Sequence, residues 1–404
     1  MSAAEIAPDW RRWQQTSLIA AVVGATLFVL VALTPLAGPY RLTQAAVSYS
    51  VAFHVWLAIP LGCMVLLMIQ YLTGGTWGVL LRPVLETSSR TIILFAFLAI
   101  PLAASFFLGA NSPYPWARPL EQVARGEILE ELRGKTRLLN PAFVAGRLVV
   151  YFAIWIVVSL LLNGFSGRWK GGSELAGRRL VNMSGPGLIA YAITVSLASM
   201  DWIMSLEPFW RSTIYPALYA IGQIMSGFAF ATAAMVLLCS YPPLAGRVLP
   251  KHRRDLGGLL LAFVMLWAYF AFSQFLLIWV GNLPDESLYY FKRLRGGWQW
   301  IGLALLLMHF VLPFFVLIFR GAKENPKVLL GVAALVLGMR FVDVFWWIEP
   351  AFPHVGLPLF WLLDVAAFVA IGGVWSWWFL GRLKHVSLVP IYGANLCEAG
   401  GHHE

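Results

Sequence analysis

Charge is what this sequence has least of. Only 12% of its 404 residues are Asp, Glu, Lys or Arg, against about 25% in a soluble globular chain. With 60% hydrophobic residues and a mean hydropathy of +0.74, that shortage excludes a soluble enzyme, a disordered chain and a nucleic-acid-binding domain together. Cysteine is nearly absent as well. Cys63, Cys239 and Cys397 lie far apart, with no CxxC and no CxxCH, so neither a disulfide framework, nor a cysteine-held cluster, nor an attached c-type haem is expected. Strand-like alternation is missing, which argues against a barrel. Long apolar runs are abundant, and they mark an all-α integral membrane protein.

A bilayer core needs about 20 apolar residues per helix. Ten runs qualify: Ser17–Leu36, Val47–Leu72, Thr91–Leu108, Val144–Leu162, Pro186–Met204, Ile214–Cys239, Leu256–Val280, Trp298–Phe319, Val328–Trp347 and Leu357–Leu380. The first follows Arg11 and Arg12 as a signal peptide would, but it is long and lacks an evident small-residue cleavage site, so it reads as a retained helix. Counting loops alternately puts 17 Lys and Arg on the side of the N-terminus and 11 on the other, six of those 11 in residues 115–147. The bias places both termini in the cytoplasm. The long outer loop, 115–140, carries Leu120, Val123, Ala124, Ile128 and Leu132 at helical spacing among four glutamates, an amphipathic helix for the membrane surface or a partner.

The sequence also repeats itself. The fifth span ends Asp201-x5-Glu207-Pro208 and the ninth ends Asp343-x5-Glu349-Pro350; the third ends Gly109-Ala-Asn111-Ser-Pro113 and the seventh Gly281-Asn282-Leu-Pro284. Matching features recur four helices later, an even number, so the two units share an orientation. Two four-helix bundles follow, spans 2–5 (residues 47–204) and 6–9 (205–350), as a parallel repeat. Helix 1 (within 1–46) and helix 10 with its tail (351–404) are peripheral.

Ionisable groups inside a span cost at least about 2.5–3.5 kcal/mol each, so each needs a partner or a task. The candidates are His54, Asp201, His309, Arg340, Asp343 and Asp364, with Glu207 and Glu349 at helix exits. Each also has a plainer explanation. Arg340 and Asp343, three apart, can neutralise each other; the two Glu-Pro carboxylates can face water; Asp201 can tie two helices; the histidines can be packed and satisfied. An axial haem on His54 and His309 is disfavoured, because they fall at different depths and a diheme cytochrome needs four ligands.

Several motifs occur in order: residues 199–214 with Asp201, Glu207, Pro208, Trp210 and Arg211; Trp279 to Glu286 with Asn282 and Pro284; Trp298; His309 to Pro313; and Arg340-Phe-Val-Asp343. Together they resemble the polysulfide-reductase/NrfD-like membrane subunits, nearest to the second such subunit of alternative complex III, a bacterial quinol:cytochrome c oxidoreductase. The resemblance implies ten helices in two bundles and a subunit that holds no redox centre of its own. It also implies periplasmic partners carrying iron–sulfur clusters and c-type haems, a second NrfD-like membrane subunit, and the bacterial inner membrane as location. Under it, a quinol or quinone (menaquinone or ubiquinone) is the only small molecule, with His54, Asp201, Glu207 and Arg211 as quinone-site candidates. His309, Arg340, Asp343, Glu349 and Asp364 are then proton-path candidates. Two other classes fit the composition: a secondary transporter whose helices break at Pro60, Pro101, Pro216 or Pro313, and a purely structural membrane anchor for redox subunits.

Overall fold

The computed structural model describes residues 8–34, 41–242, 244–352 and 360–388. Within them the chain is all-helical, without a strand. In order come α1 (Trp10–Leu33), α2 (Arg41–Thr73), α3 (Thr76–Ser89), α4 (Ile92–Ser105), α5 (Leu120–Val123), α6 (Glu127–Lys135), α7 (Pro141–Lys170) and α8 (Glu174–Trp202). Then follow α9 (Tyr215–Leu238), α10 (Pro250–Gly281), α11 (Pro284–Arg293), α12 (Trp298–Ala304), α13 (Leu312–Ile318), α14 (Arg320–Glu324), α15 (Pro326–Ile348) and α16 (Phe360–Leu383). Among the described residues nine helices are long and apolar enough to cross a membrane, ten when the bent pair α3/α4 counts as one span. This is a multi-pass all-helical membrane protein. Cys397 and the start of the tenth run lie outside the described residues.

The third span differs from the sequence expectation. At 14 residues α4 is about 21 Å long, too short for a hydrocarbon core of about 30 Å. The missing length comes from α3, which meets α4 at a 41° bend. Hydropathy hides α3 because it carries Arg82 and Glu86, both nearly fully buried. The outer loop differs too. Its helix is split in two: Ala124, in an extended conformation, ends α5, and Gly126, at φ 59°, precedes the first residue of α6.

Local chemistry sets the helix ends. Asn140 accepts the Phe143 N–H at 2.9 Å with Pro141 as the first helical residue, and Asn325 caps α15 ahead of Pro326 in the same way. Asn282, at φ 44°, closes α10 in the left-handed conformation. Between α12 and α13, Leu305–Val311 form a π-helical segment. Pro313 follows it; it has no N–H for the His309 carbonyl and its ring crowds that group, which favours a widened turn.

The hub is α2 with α9: 89% and 78% of their membrane windows are buried, against 22% for α10. They cross on glycine. A Cβ at Gly62 would strike the Gln223 carbonyl, and one at Gly227 would lie 2.6 Å from the Cys63 nitrogen. Such small-residue contacts let membrane helices approach backbone to backbone. Around the hub, α2, α4, α7 and α8 close one ring of neighbours, and α9, α10, the α12–α13 helix and α15 close another. Outside both, α16 packs on α2, with Trp56 Nε1 donating to the Phe368 carbonyl at 2.9 Å. The outermost helix, α1, packs mainly on α16, where Gly24 faces the Ala370 backbone.

Candidate functional site

A belt of buried polar side chains crosses the interior from α2 to the π-helical segment. His54 starts it. Its Nδ1 lies 2.6 Å from the Ser50 carbonyl. A carbonyl can only accept, so Nδ1 carries the proton and Nε2 is left as an acceptor. Nε2 has no hydrogen-bond partner, and the ring is enclosed by Phe53, Trp202 and Tyr219 at centroid distances of 5.5, 5.7 and 6.1 Å. One turn along α9 from Tyr219, Gln223 accepts from the Tyr191 hydroxyl at 2.8 Å.

Arg340 of α15 reaches the same region of α9. Its guanidinium lies so close to Gly222 that any Cβ there would collide with it. It hydrogen-bonds Asp343 and sits 4.4 Å from the centroid of Trp347. Asp343 also accepts from Trp267 Nε1 of α10 at 3.1 Å, and the Trp267 ring meets His309 edge-on at 4.4 Å. Arg340, Asp343 and His309 are all essentially sealed from solvent. Within the belt His54 Nε2, Gln223 Nε2, Arg340 Nε and NH2 and both His309 nitrogens make no hydrogen bond among the described residues. So much unmet hydrogen-bonding capacity in one apolar interior is uncommon and calls for an explanation.

At one end of the helices the acids are instead tightly held. Asp201 accepts from Arg147 Nε and NH2 at 2.9 and 2.7 Å and from the Tyr151 hydroxyl at 2.7 Å. Glu207 accepts from Arg293 at 2.9 Å and Lys292 at 2.8 Å. Arg293 is fully buried, stacks 3.4 Å over Tyr289 and donates to the Trp346 and Trp347 carbonyls, which locks α11 onto the exit of α15. Glu349 accepts from Gln44 of α2 and has Asp364 of α16 as a hydrogen-bonding neighbour. Two carboxyls bond to each other only through a proton, so this pair can hold one. Arg211 is 70% exposed and pairs with Glu131 at 2.8 Å. The Lys135 hydrogen bond, and then the charges of Lys135 and Arg211, hold the Glu131 carboxyl below its ordinary range.

Comparison with protein-family models and with curated proteins finds no match, so the chain's own residues must carry any assignment of function.

Of the quinone-site candidates, His54 packs against the Trp202 ring, and Asp201, the residue before Trp202, is held by Arg147 and Tyr151; Glu207 and Arg211 each have partners of their own. Among the proton-path candidates His309, Arg340 and Asp343 converge, while Glu349 and Asp364 form a second group. Sequence reasoning misses Arg147, Tyr151, Trp267 and Arg293. It places Arg147 at the end of the outer loop, although the four-residue spacing from Tyr151 on one face of α7 is an available signal. Nothing local marks Arg293 or Trp267.

Proposed function

We propose that this chain is a membrane subunit of a bacterial quinol:cytochrome c oxidoreductase of the polysulfide-reductase/NrfD-like kind. In this reading it holds no redox centre, offers a quinol site and carries a proton path. It sits in the inner membrane with both termini in the cytoplasm. Its partners are periplasmic iron–sulfur and c-type haem subunits and a second NrfD-like membrane subunit. The two closed rings of helices, together with the repeated D-x5-E-P exits, support two four-helix bundles arranged as a parallel repeat.

The belt from His54 to His309 is the observation that carries this reading. Oxidation of a quinol to a quinone releases two protons and two electrons, so a base must meet each hydroxyl. The free Nε2 lone pair of His54, enclosed by the rings of Trp202, Phe53 and Tyr219, suits that task for one of the two hydroxyls. The electrons leave to the partner subunits. Tyr219, Gln223, Arg340, Asp343 and His309 then form a relay, with Asp343 as its exchanging acid and Glu349 with Asp364 as a second proton-holding station. Asp201 is saturated by Arg147 and Tyr151, so its role here is to position Trp202 rather than to take a proton.

One observation favours the anchor reading: Asp201 and Glu207 are both locked by arginines at one end of the helices, as a rigid docking platform would be. A transporter is less favoured: Pro60 and Pro101 lie within helices that continue through them and Pro216 occupies the first turn of α9, so of the four prolines only Pro313, after the π-helical segment Leu305–Val311, sits at an interruption. The test is purification in mild detergent, then quinol oxidation and proton release in liposomes. Retrieval of haem and iron–sulfur subunits, with proton release lost in Asp343→Asn and quinol oxidation lost in His54→Ala, is the expected result. Unchanged activity in both variants would leave only the anchor, and purification without redox partners would overturn both.

A further inference from the structure

At the opposite end of the helices from Asp201, where α2 leaves the bundle, a cavity of about 260 Å³ lies between one face of α3, the last turn of α7 and the segment after α16. Arg82, Glu86 and Arg90 line it from α3, Lys170 from α7 and His385 from the C-terminal segment. Its charges do not cancel. Glu86 is already matched: Lys170 Nζ donates to it at 2.5 Å, the Ser166 hydroxyl at 2.5 Å and the Tyr71 hydroxyl at 3.4 Å. Arg82 and Arg90 are left over, and among the described residues neither is in an ion pair. Arg90 donates through Nε to Asn163 at 3.0 Å, and its terminal nitrogens remain for the cavity it lines.

Arg82 is the more telling of the two. It is 4% exposed, and among the described residues its Nε has no partner and its one hydrogen bond is to neutral Gln70 at 3.3 Å. Its guanidinium lies 4.8 Å from the Trp169 ring and 5.5 Å from Tyr71. Aromatic faces offset a small part of the cost of burying a cation; a buried guanidinium otherwise calls for an anion. It also borders a second cavity of about 390 Å³, beside Trp169 and Arg178.

We propose that Arg82 and Arg90 form a binding site for a phosphoryl group, with Glu86 and Lys170 as the fixed pair that holds the floor of the cavity. The two planar guanidinium forks lie about two turns apart along α3 but line one cavity, and a tetrahedral oxyanion between them can accept bidentate bonds from each. The site lies where α2 and α7 leave the apolar layer, so the phosphoryl group comes either from the headgroup of an anionic phospholipid or from soluble phosphate. On the proposed orientation it faces the cytoplasm, but binding does not depend on that orientation or on the redox reading.

Native mass spectrometry of the full chain, in nanodiscs of phosphatidylcholine with and without phosphatidylglycerol, tests this. The wild type retains phosphatidylglycerol over phosphatidylcholine, and Arg90→Gln, at the half-exposed position, lowers that retention about tenfold. Arg82→Gln lowers it at least as far, and Arg320→Gln, on the exposed face of α14, leaves it unchanged. If inorganic phosphate binds the wild type and displaces the lipid, the group is soluble phosphate; if it does not, the lipid is the ligand. Equal retention of both lipids by the wild type, or retention of phosphatidylglycerol unchanged in Arg90→Gln, overturns the proposal.

Discussion

The Arg340–Asp343 pair can be tested by a double-mutant cycle that separates holding the fold together from moving protons. Both side chains are sealed, at 1% and 2% exposure, and their other contacts are few: Trp267 N–H for the acid and the Trp347 face for the guanidinium. Removing one partner of such a pair costs about 3–5 kcal/mol, because the other charge stays buried without compensation. Asp343→Leu is the costlier single change, since the guanidinium it strands cannot shed its proton, whereas the carboxyl stranded by Arg340→Met can take one. Arg340→Met with Asp343→Leu removes both charges and restores apolar packing, so the double variant returns to within about 1 kcal/mol of wild type. Equilibrium unfolding in mixed micelles, titrated with a denaturing detergent, gives the four stabilities and a coupling of at least about 3 kcal/mol. Proton release by the reconstituted complex is the second readout. A relay stays broken in the double variant although its stability is recovered; a structural pair recovers both. Single variants within about 0.5 kcal/mol of wild type, or costs that simply add, would refute the reasoning that this pair is dry and coupled.

Three further outcomes are expected. Arg147→Gln removes both bonds to Asp201 and the bond to the Leu138 carbonyl; it should cost about 1–3 kcal/mol and speed hydrogen exchange over residues 136–147. Gly227→Val forces α9 off the α2 backbone and should destabilise by about 1–3 kcal/mol in the same unfolding assay, whereas Gly258→Ala, with nothing within 4 Å, should be neutral or slightly stabilising. Because Glu131 has a lowered pKa, its contribution to docking α6 is present above the ordinary carboxylate value of 4.5 and is lost only as pH falls below it. Spin labels on α6 and on the 207–212 segment should keep a constant separation through mild acid and move apart only beneath that value.

The membrane helices were legible because apolar length is a local property. Nine of the ten runs fall on helices long enough to cross the membrane. The exception, α3 with α4, shows what a hydropathy reading cannot see. Arg82 and Glu86 lower the local average, yet each is buried because Gln70, Lys170, Ser166 and aromatic rings meet it there. Of the candidate site, Arg340–Asp343 was readable, being three residues apart on one helix. The partners of the other acids were not. Asp201 is held from 54 residues away, Glu207 from 86 and Glu349 from 305. No periodicity within a span encodes such pairings; only the order in which helices pack does.

That packing also divides two acids that occupy equivalent places in the sequence. Asp201 and Asp343 both open a D-x5-E-P exit, but Asp201 draws its arginine from the preceding helix α7 and Asp343 from its own. Arg147 keeps 19% of its side chain exposed, so the Asp201 pair touches the rim of the helices. The Asp343 pair has no such opening: its neighbours are Trp267, Trp347 and the α9 backbone at Gly222. In the proposed relay a proton on Asp343 therefore leaves through other members of the belt, toward His309 on one side or Gln223 and Tyr219 on the other. If the two halves descend from one repeat, the arginine has changed helices, and with it the acid of the second half has become dependent on the belt. Moving it back is a direct test of that dependence. A chain with Arg340→Gln and an arginine introduced on the α12–α13 helix, which stands to Asp343 as α7 stands to Asp201, should keep its fold and lose proton release.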